Sequence, residues 1–385
     1  MLSKITDKIY CNSINDRDIT LFEGQYKVQK GMAYNSYIIS DEKTAVLDTV
    51  EKSHTREWLD GIKTVLGVKA PDYLVIHHME PDHSASIGDF YREYPGVTIV
   101  ANSKTLAMIS QFFPDTVIEN QCVMTDGGKL RLGGAELSFV FTPMIHWPEV
   151  MMSFESESGL LFSADAFGTF GTADADQIWD DEACRYYIGI VGKYGAQVQT
   201  ALKKLSALNV SVICPLHGPV LRENLSHYIS LYDKWSSYTP EKHGVCICCA
   251  SVYGNTLAAA KLLDSELRKR GAETVLFDLT VCDIHEAVAA AFRYDTLVMA
   301  STTYNGSVFP VADCYIRKLA ERNFKNRKVA FIENGSWGPV AAKVMKAAFS
   351  EMKNIEFAEN TVTLKSALSD VSRQAVYDLA EELSR

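Results

Sequence analysis

The order of apolar and polar positions divides the chain into two regimes. Up to about residue 235 the apolar residues come in short runs broken by turns, as in short strands interrupted by a few helices. Residues 36–40 and 44–48 read as a hairpin turning at Asp41-Glu42-Lys43. The run 72–77 is apolar without alternation, as in a strand covered on both faces, and 97–101 is another. Two strands flank Gly133-Gly134, and 159–164 and 210–214 are short buried strands. Such a mixture predicts two sheets with helices outside, an α/β sandwich.

A helix over 225–235 leads into a linker at 236–244, and the pattern then changes. Strands at 245–250, 274–279, 296–301, 328–332 and 356–363 alternate with helices at 255–270, 284–293, 311–323, 339–352 and 367–384. Regular alternation predicts a doubly wound parallel sheet with helices on both faces. The expected class is α/β, with domains at 1–243 and 244–385.

Composition narrows the function classes. Apolar residues make up 47% and charged residues 22%, the balance of a folded globular chain. The formal charge is −10 and no block of Lys and Arg occurs, so nucleic acid is not an expected partner. The first residues contain no apolar core of a signal peptide, and no apolar run is long enough to span a membrane. Three of the nine cysteines share the apolar run Val245-Cys246-Ile247-Cys248-Cys249-Ala250, which reads as reduced thiols in a buried strand and a cytoplasmic setting. Paired C-x-x-C knuckles are lacking, which argues against a rubredoxin or zinc-ribbon module.

The strongest chemical signal is His78-Met79-Glu80-Pro81-Asp82-His83, directly after a buried strand. Residues two apart in an extended chain share a face, so His78 and Glu80 can bind one ion. Pro81 turns the chain, and Asp82 with His83 can then address a second ion. His146, Asp165 and His217 each follow a strand and can meet at the same rim. His77 points to the other side of its strand and reads as supporting or core, while His54, His227, His243 and His285 read as surface residues.

This set resembles the metallo-β-lactamase fold with one change, since the hydrolases of that fold carry His where this chain has Glu80. Glu80 together with His146-Trp147-Pro148-Glu149 is the pattern of the flavodiiron proteins, a family that follows its β-lactamase-like αββα sandwich with a flavodoxin-like domain. The resemblance covers essentially the whole chain. It implies that His78, Glu80 and His146 bind one iron, that Asp82, His83 and His217 bind the other, and that Asp165 bridges them. No catalytic residue beyond these ligands is expected. Mixed imidazole and carboxylate donors suit iron, although zinc accepts the same ligands.

A second signal is Ser251-Val252-Tyr253-Gly254-Asn255-Thr256, between a buried strand and an amphipathic helix. Hydroxyls, a glycine and free amides at a helix start make a phosphate cradle. The stretch resembles the flavodoxin phosphate loop, with Ser251, Tyr253, Gly254, Asn255 and Thr256 in the matching places. Thr302-Thr303-Tyr304-Asn305-Gly306 and Ser336-Trp337-Gly338 follow later strands and resemble the flavin-ring loops of flavodiiron proteins. FMN and two non-haem irons are therefore the implied cofactors.

A flavin carries up to two electrons and two ferrous ions deliver one each, which matches reduction of O2 to two waters or of two NO to N2O. The resemblance implies one or both reactions, in the family's minimal form, with electrons supplied by a separate donor such as rubredoxin. It also implies a head-to-tail homodimer, or a dimer of such dimers, because two sites on separate domains of one chain are expected to lie too far apart for fast transfer. The rivals are a metal-dependent hydrolase with a regulatory FMN domain, and an electron carrier whose metal site is structural.

Overall fold

In the computed structural model, which describes residues 1–384, the chain forms two compact units. The first comprises Met1–Tyr187 and Ala196–Asp233, and the second Ile188–Gly195 and Lys234–Arg385.

In the first unit, strands with apolar residues on both faces have to be covered on both faces, and two sheets supply the cover. One has seven strands in the order Leu2–Lys4, Ile9–Asp16, Met32–Ser40, Thr44–Leu47, Tyr73–Val75, Thr98–Ala101, Gln121–Val123. Its first four strands pair antiparallel and its last four parallel. The other has five strands in the order Lys129–Arg131, Glu136–Phe141, Met151–Glu155, Leu160–Phe162, Val212–Cys214, with only the last pair parallel. Ile9, Tyr37, Leu47 and Val75 of the first sheet pack with Leu137, Phe139, Met151 and Phe162 of the second in one continuous core. Helix Thr55–Leu66 lies against the first sheet through Trp58, whose carbonyl accepts from Asn12 Nδ2 at 2.9 Å. Helix Gly195–Leu205 reaches the second sheet through Lys204, bonded to the Phe141 carbonyl at 2.9 Å. The architecture is the αββα sandwich of the metallo-β-lactamase fold.

The second unit is one sheet in the order Glu273–Asp278, Lys242–Ala250, Tyr294–Tyr304, Arg327–Asn334, Ile355–Leu364, all parallel. Numbered along the chain this order is 2-1-3-4-5, the flavodoxin-like winding. Helices Asn255–Lys269 and Asp370–Leu383 bury Leu263, Leu267, Val376 and Leu379 against one face.

Two local readings change. The third strand of this sheet runs to Tyr304 and turns back through Asn305 and Gly306 into Ser307–Val308, so the expected open loop is a short hairpin. Both turn residues have positive φ, 51° and 69°, as an Asn-Gly hairpin turn requires. His285 is 7% exposed and not a surface residue, because it shares the inward face of helix Ile284–Arg293 with Val288, Ala289 and Phe292.

Ile332 is fully buried in the central part of this sheet, whereas Val371 is 81% exposed on a helix of the same unit. Ile332→Ala should lower the unfolding free energy of the second unit by about 2–5 kcal/mol. Val371→Ala should stay within about 0.5 kcal/mol. Denaturant melts of both variants check the difference, and equal midpoints would contradict this packing.

Candidate metal centre and ligand cavity

Strand Tyr73–Val75 ends before the ligand-type residues begin. Glu80 keeps extended backbone (φ −58°, ψ 138°) and caps a single helical turn, Pro81–Ser84, with Pro81 at its first position. Within six residues the chain thus presents donors on an extended stretch and then on a helical turn. His146 comes from the loop before Met151–Glu155, Asp165 from just after Leu160–Phe162, and His217 from just after Val212–Cys214. Both sheets contribute at one end of the sandwich.

The seven side chains form two groups. Donor atoms of His78, Glu80, His146 and Asp165 all lie within 4.8 Å of one another, and those of Asp82, His83 and His217 form a second group on the same measure. In the first, His146 Nε2 is 2.8 Å from Glu80 Oε2 and 3.2 Å from Asp165 Oδ2, and His78 Nε2 is 3.3 Å from both oxygens. Asp165 turns its other oxygen to the second group, with Oδ1 at 3.2 Å from His83 Nε2 and 3.9 Å from His217 Nε2. Asp82 Oδ2 is 3.3 Å from both of those nitrogens, which are themselves 2.9 Å apart. Donors bound to one ion at about 2.1 Å stand about 3.0–3.4 Å from one another, so each group has the dimensions of one coordination shell. Asp165 alone faces both.

The rings are held from behind. His78 Nδ1 bonds Glu149 Oε1 at 2.9 Å, and the same oxygen accepts the Met79 amide at 2.9 Å. His217 Nδ1 donates to the Ala33 carbonyl at 2.7 Å, which turns its Nε2 towards the site. Such anchors fix ring orientation before any ion arrives.

The electrostatics call for cations. Asp165 is 1% exposed and neither of its oxygens, nor either oxygen of Asp82, receives a well-directed hydrogen bond. Burial favours neutral His78, but the charge of Asp165 and the contacts with Asp165, Glu149 and Glu80 together outweigh it and hold the imidazole pKa well above its usual range. Burial is likewise outweighed at His146 by the close approach of the Asp165 carboxylate and the hydrogen bond to Glu80, and its pKa rises to about 9. Glu80 is held down to about 2, against its burial, by His146 and His78. Three carboxylates share this volume with four imidazoles, and the orphaned oxygens match ions that bring positive charge. With nitrogen and oxygen donors and no thiolate, the set fits a first-row transition metal.

Some neighbours carry no sequence motif. The rings of Phe22, Tyr34 and Tyr186 stand 5.5, 6.0 and 5.4 Å from that of His217. Glu23, at the turn of the small hairpin Leu21–Phe22/Tyr26–Lys27, is pushed up to about 7 by surrounding protein and the charge of Glu80. Only position 22's apolar character hinted at any of this.

In the second unit, a cavity of about 490 Å³ opens at the carboxyl ends of the parallel strands. Ser251, Tyr253, Asn255, Thr256, Thr302, Thr303, Tyr304, Asn305, Gly306, Ser336, Trp337 and Gly338 line it. Gly254 does not line it; with φ 87° it caps helix Asn255–Lys269, a conformation that favours glycine. Thr303 lines the wall, but its hydroxyl accepts the amides of Val340 and Ala341 at 3.0 and 3.2 Å. Val252, Asn334, Gly335 and Ser366 also line it. Ser366 escaped the sequence reading because its loop follows the least regular strand pattern, and its φ of 72° marks the turn.

Residues 32–218 match the family model described as ODP family beta lactamase. The chain is 26% identical over 391 residues to the nitric oxide reductase of Moorella thermoacetica, covering 99% of this chain and 97% of that one. The flavodiiron protein from Giardia intestinalis is similar in structure, with a TM-score of 0.90, 26% identity, and coverage of 100% of this chain and 97% of that one. The rubredoxin oxygen:oxidoreductase of Desulfovibrio gigas shares the fold with a TM-score of 0.93 at 24% identity, covering 100% and 98% of the two chains.

Replacing the one carboxylate that faces both groups, Asp165→Asn, should weaken divalent-metal binding at both. The loss should exceed the roughly 10–100-fold typical of removing a mere supporting partner. Chelator competition with Co(II) checks this, with Asp7→Asn at the exposed surface as the unchanged control.

Proposed function

We propose that this chain, which belongs to the flavodiiron family, reduces O2, NO or both at a non-haem di-iron centre fed by FMN. The observation that carries the proposal is Asp165, buried and presenting one oxygen to each of two donor groups, with Glu80 completing the first. On this reading His78, Glu80 and His146 hold one iron, Asp82, His83 and His217 the other, and Asp165 both. Bound there, the irons and FMN supply the electron transfer that the protein's own side chains do not.

The chain's residues supply the rest. Glu149 and the Ala33 carbonyl hold His78 and His217 in register, so little reorganisation accompanies the reaction. Phe22, Tyr34 and Tyr186 crowd the His217 side, leaving the partly exposed edge at Glu80, Asp82 and His146 as the approach for a small molecule. In the second unit, the start of helix Asn255–Lys269 with Ser251, Asn255 and Thr256 would cradle the FMN phosphate. Tyr304 and Trp337 would flank the ring.

Both gases belong to the proposal because one relative is named for nitric oxide and another for oxygen. The name of the latter also supports a rubredoxin-type donor. A head-to-tail homodimer in the cytoplasm completes the reading, and no helix among the described residues is long and apolar enough to cross a membrane. Hydrolysis is the weaker alternative, because Glu80 stands where the hydrolases of this fold carry imidazole.

The test is anaerobic reduction of purified protein, followed by O2 and NO consumption on separate electrodes with iron and FMN counted in the same sample. Fully loaded protein that consumes neither gas would refute the proposal. Glu80→Ala should abolish gas consumption and leave FMN bound; unchanged turnover in that variant would remove the metal centre from the reaction.

A further inference from the structure

His77 precedes a proposed ligand, yet none of the roles above uses it. Its side chain is 1% exposed and sits in the middle of a buried series, Asp48–His77–Ser153, in which Asp48 and Ser153 are fully buried. Nδ1 donates to Asp48 Oδ2 at 2.6 Å. A carboxylate on that side places the proton on Nδ1, so Nε2 accepts from the Ser153 hydroxyl at 2.8 Å. The other Asp48 oxygen accepts the His77 amide at 2.7 Å and, more weakly, the His78 amide at 3.4 Å. The His77 carbonyl accepts the Met151 amide at 3.1 Å.

These bonds run between the two sheets. Asp48 follows Thr44–Leu47 in the seven-stranded sheet, and its φ of 56° turns the chain just where its carboxylate meets the His77 and His78 amides. Met151 and Ser153 belong to Met151–Glu155 in the five-stranded sheet. His78 is bonded to His77, and His146 lies on the loop that enters Met151–Glu155. Two donors of the first group therefore come from opposite sheets, and the His77 imidazole spans the gap beside them. The second group is tied by other bonds. The Thr49 amide and hydroxyl hold the His83 carbonyl at 2.9 Å each, and the Ala33 carbonyl holds His217.

We infer that His77, held between Asp48 and Ser153, is a positioning residue that sets His78 against His146 and so governs one of the two ion positions. The inference rests on the metal centre proposed above. A buried imidazole needs partners in any fold. Mere packing, however, would make their loss a matter of stability, felt alike by both groups. A positioning role makes the loss selective.

The experiment titrates the metal-free full chain with Co(II), following visible absorption and chelator competition. Wild type should take up two equivalents. In Ser153→Ala one equivalent should weaken about 10–100-fold, the usual effect of losing a supporting partner, and shift its absorption bands, while the other keeps its affinity. Ser153→Cys, of similar size with a weak donor, should fall between the two and serves if the alanine variant does not fold. Two unchanged equivalents in a folded variant, or equal weakening of both with a lower melting temperature, would overturn the inference. Fewer than two equivalents in wild type would overturn the centre itself, and the inference with it.

Discussion

Asp165 is buried beside Asp82 and Glu80, and the charges of His78, His146 and His83 hold it ionised against that burial; the first unit is organised around this concentration of charge. A carboxylate with both oxygens orphaned is tolerable where ions of opposite charge lie on either side. That requirement explains why donors arrive from four strand ends. A strand end is rigid behind and free in front, so its side chain can be aimed without breaking sheet hydrogen bonds. It also explains the anchors: an imidazole left to rotate would lose the orientation that Glu149 and the Ala33 carbonyl impose.

The two donor groups differ in their surroundings. Side chains of His78, His83, Asp165 and His217 are 0–1% exposed, whereas Glu80 keeps 18%, Asp82 11% and His146 10%. Access is therefore narrow, along the edge formed by Glu80, Asp82 and His146. Aromatic rings surround His217, including Phe22 from a two-strand hairpin with no other evident task. A narrow, mostly dry approach suits a diatomic molecule better than a peptide or a sugar, and it raises the strength of every charge interaction inside.

Much of this was legible in the residues. His78-x-Glu80-x-Asp82-His83 could be read because its donors are adjacent in sequence, and the structure brings them into the two groups that their spacing suggested. The alternation of strands and helices after residue 240 was legible for a similar reason, since a βα unit is local. What escaped depends on contacts between distant segments. Ser153 is a serine in an apolar strand, and only the approach of the other sheet gives it His77 as partner. Asp48 looks like a hairpin end until its carboxylate is seen capping two amides across 29 and 30 residues of chain. Buried His285 was misread by its polar type, although it shares one helical face with Val288, Ala289 and Phe292, all of them buried.

The second unit solves a different problem. Its cavity is lined, among the described residues, by no charged side chain at all. An anionic group seated there would be stabilised by hydroxyls and by the amides at the start of helix Asn255–Lys269, dipoles that are fixed before binding. The rim carries Tyr253 and Trp337 at 92% and 96% exposure. Two large rings so exposed gain nothing from packing within the unit itself. Their placement beside a neutral, dipole-lined cradle fits a ligand with a charged tail and a broad planar head, whose head would supply the surface the rings lack.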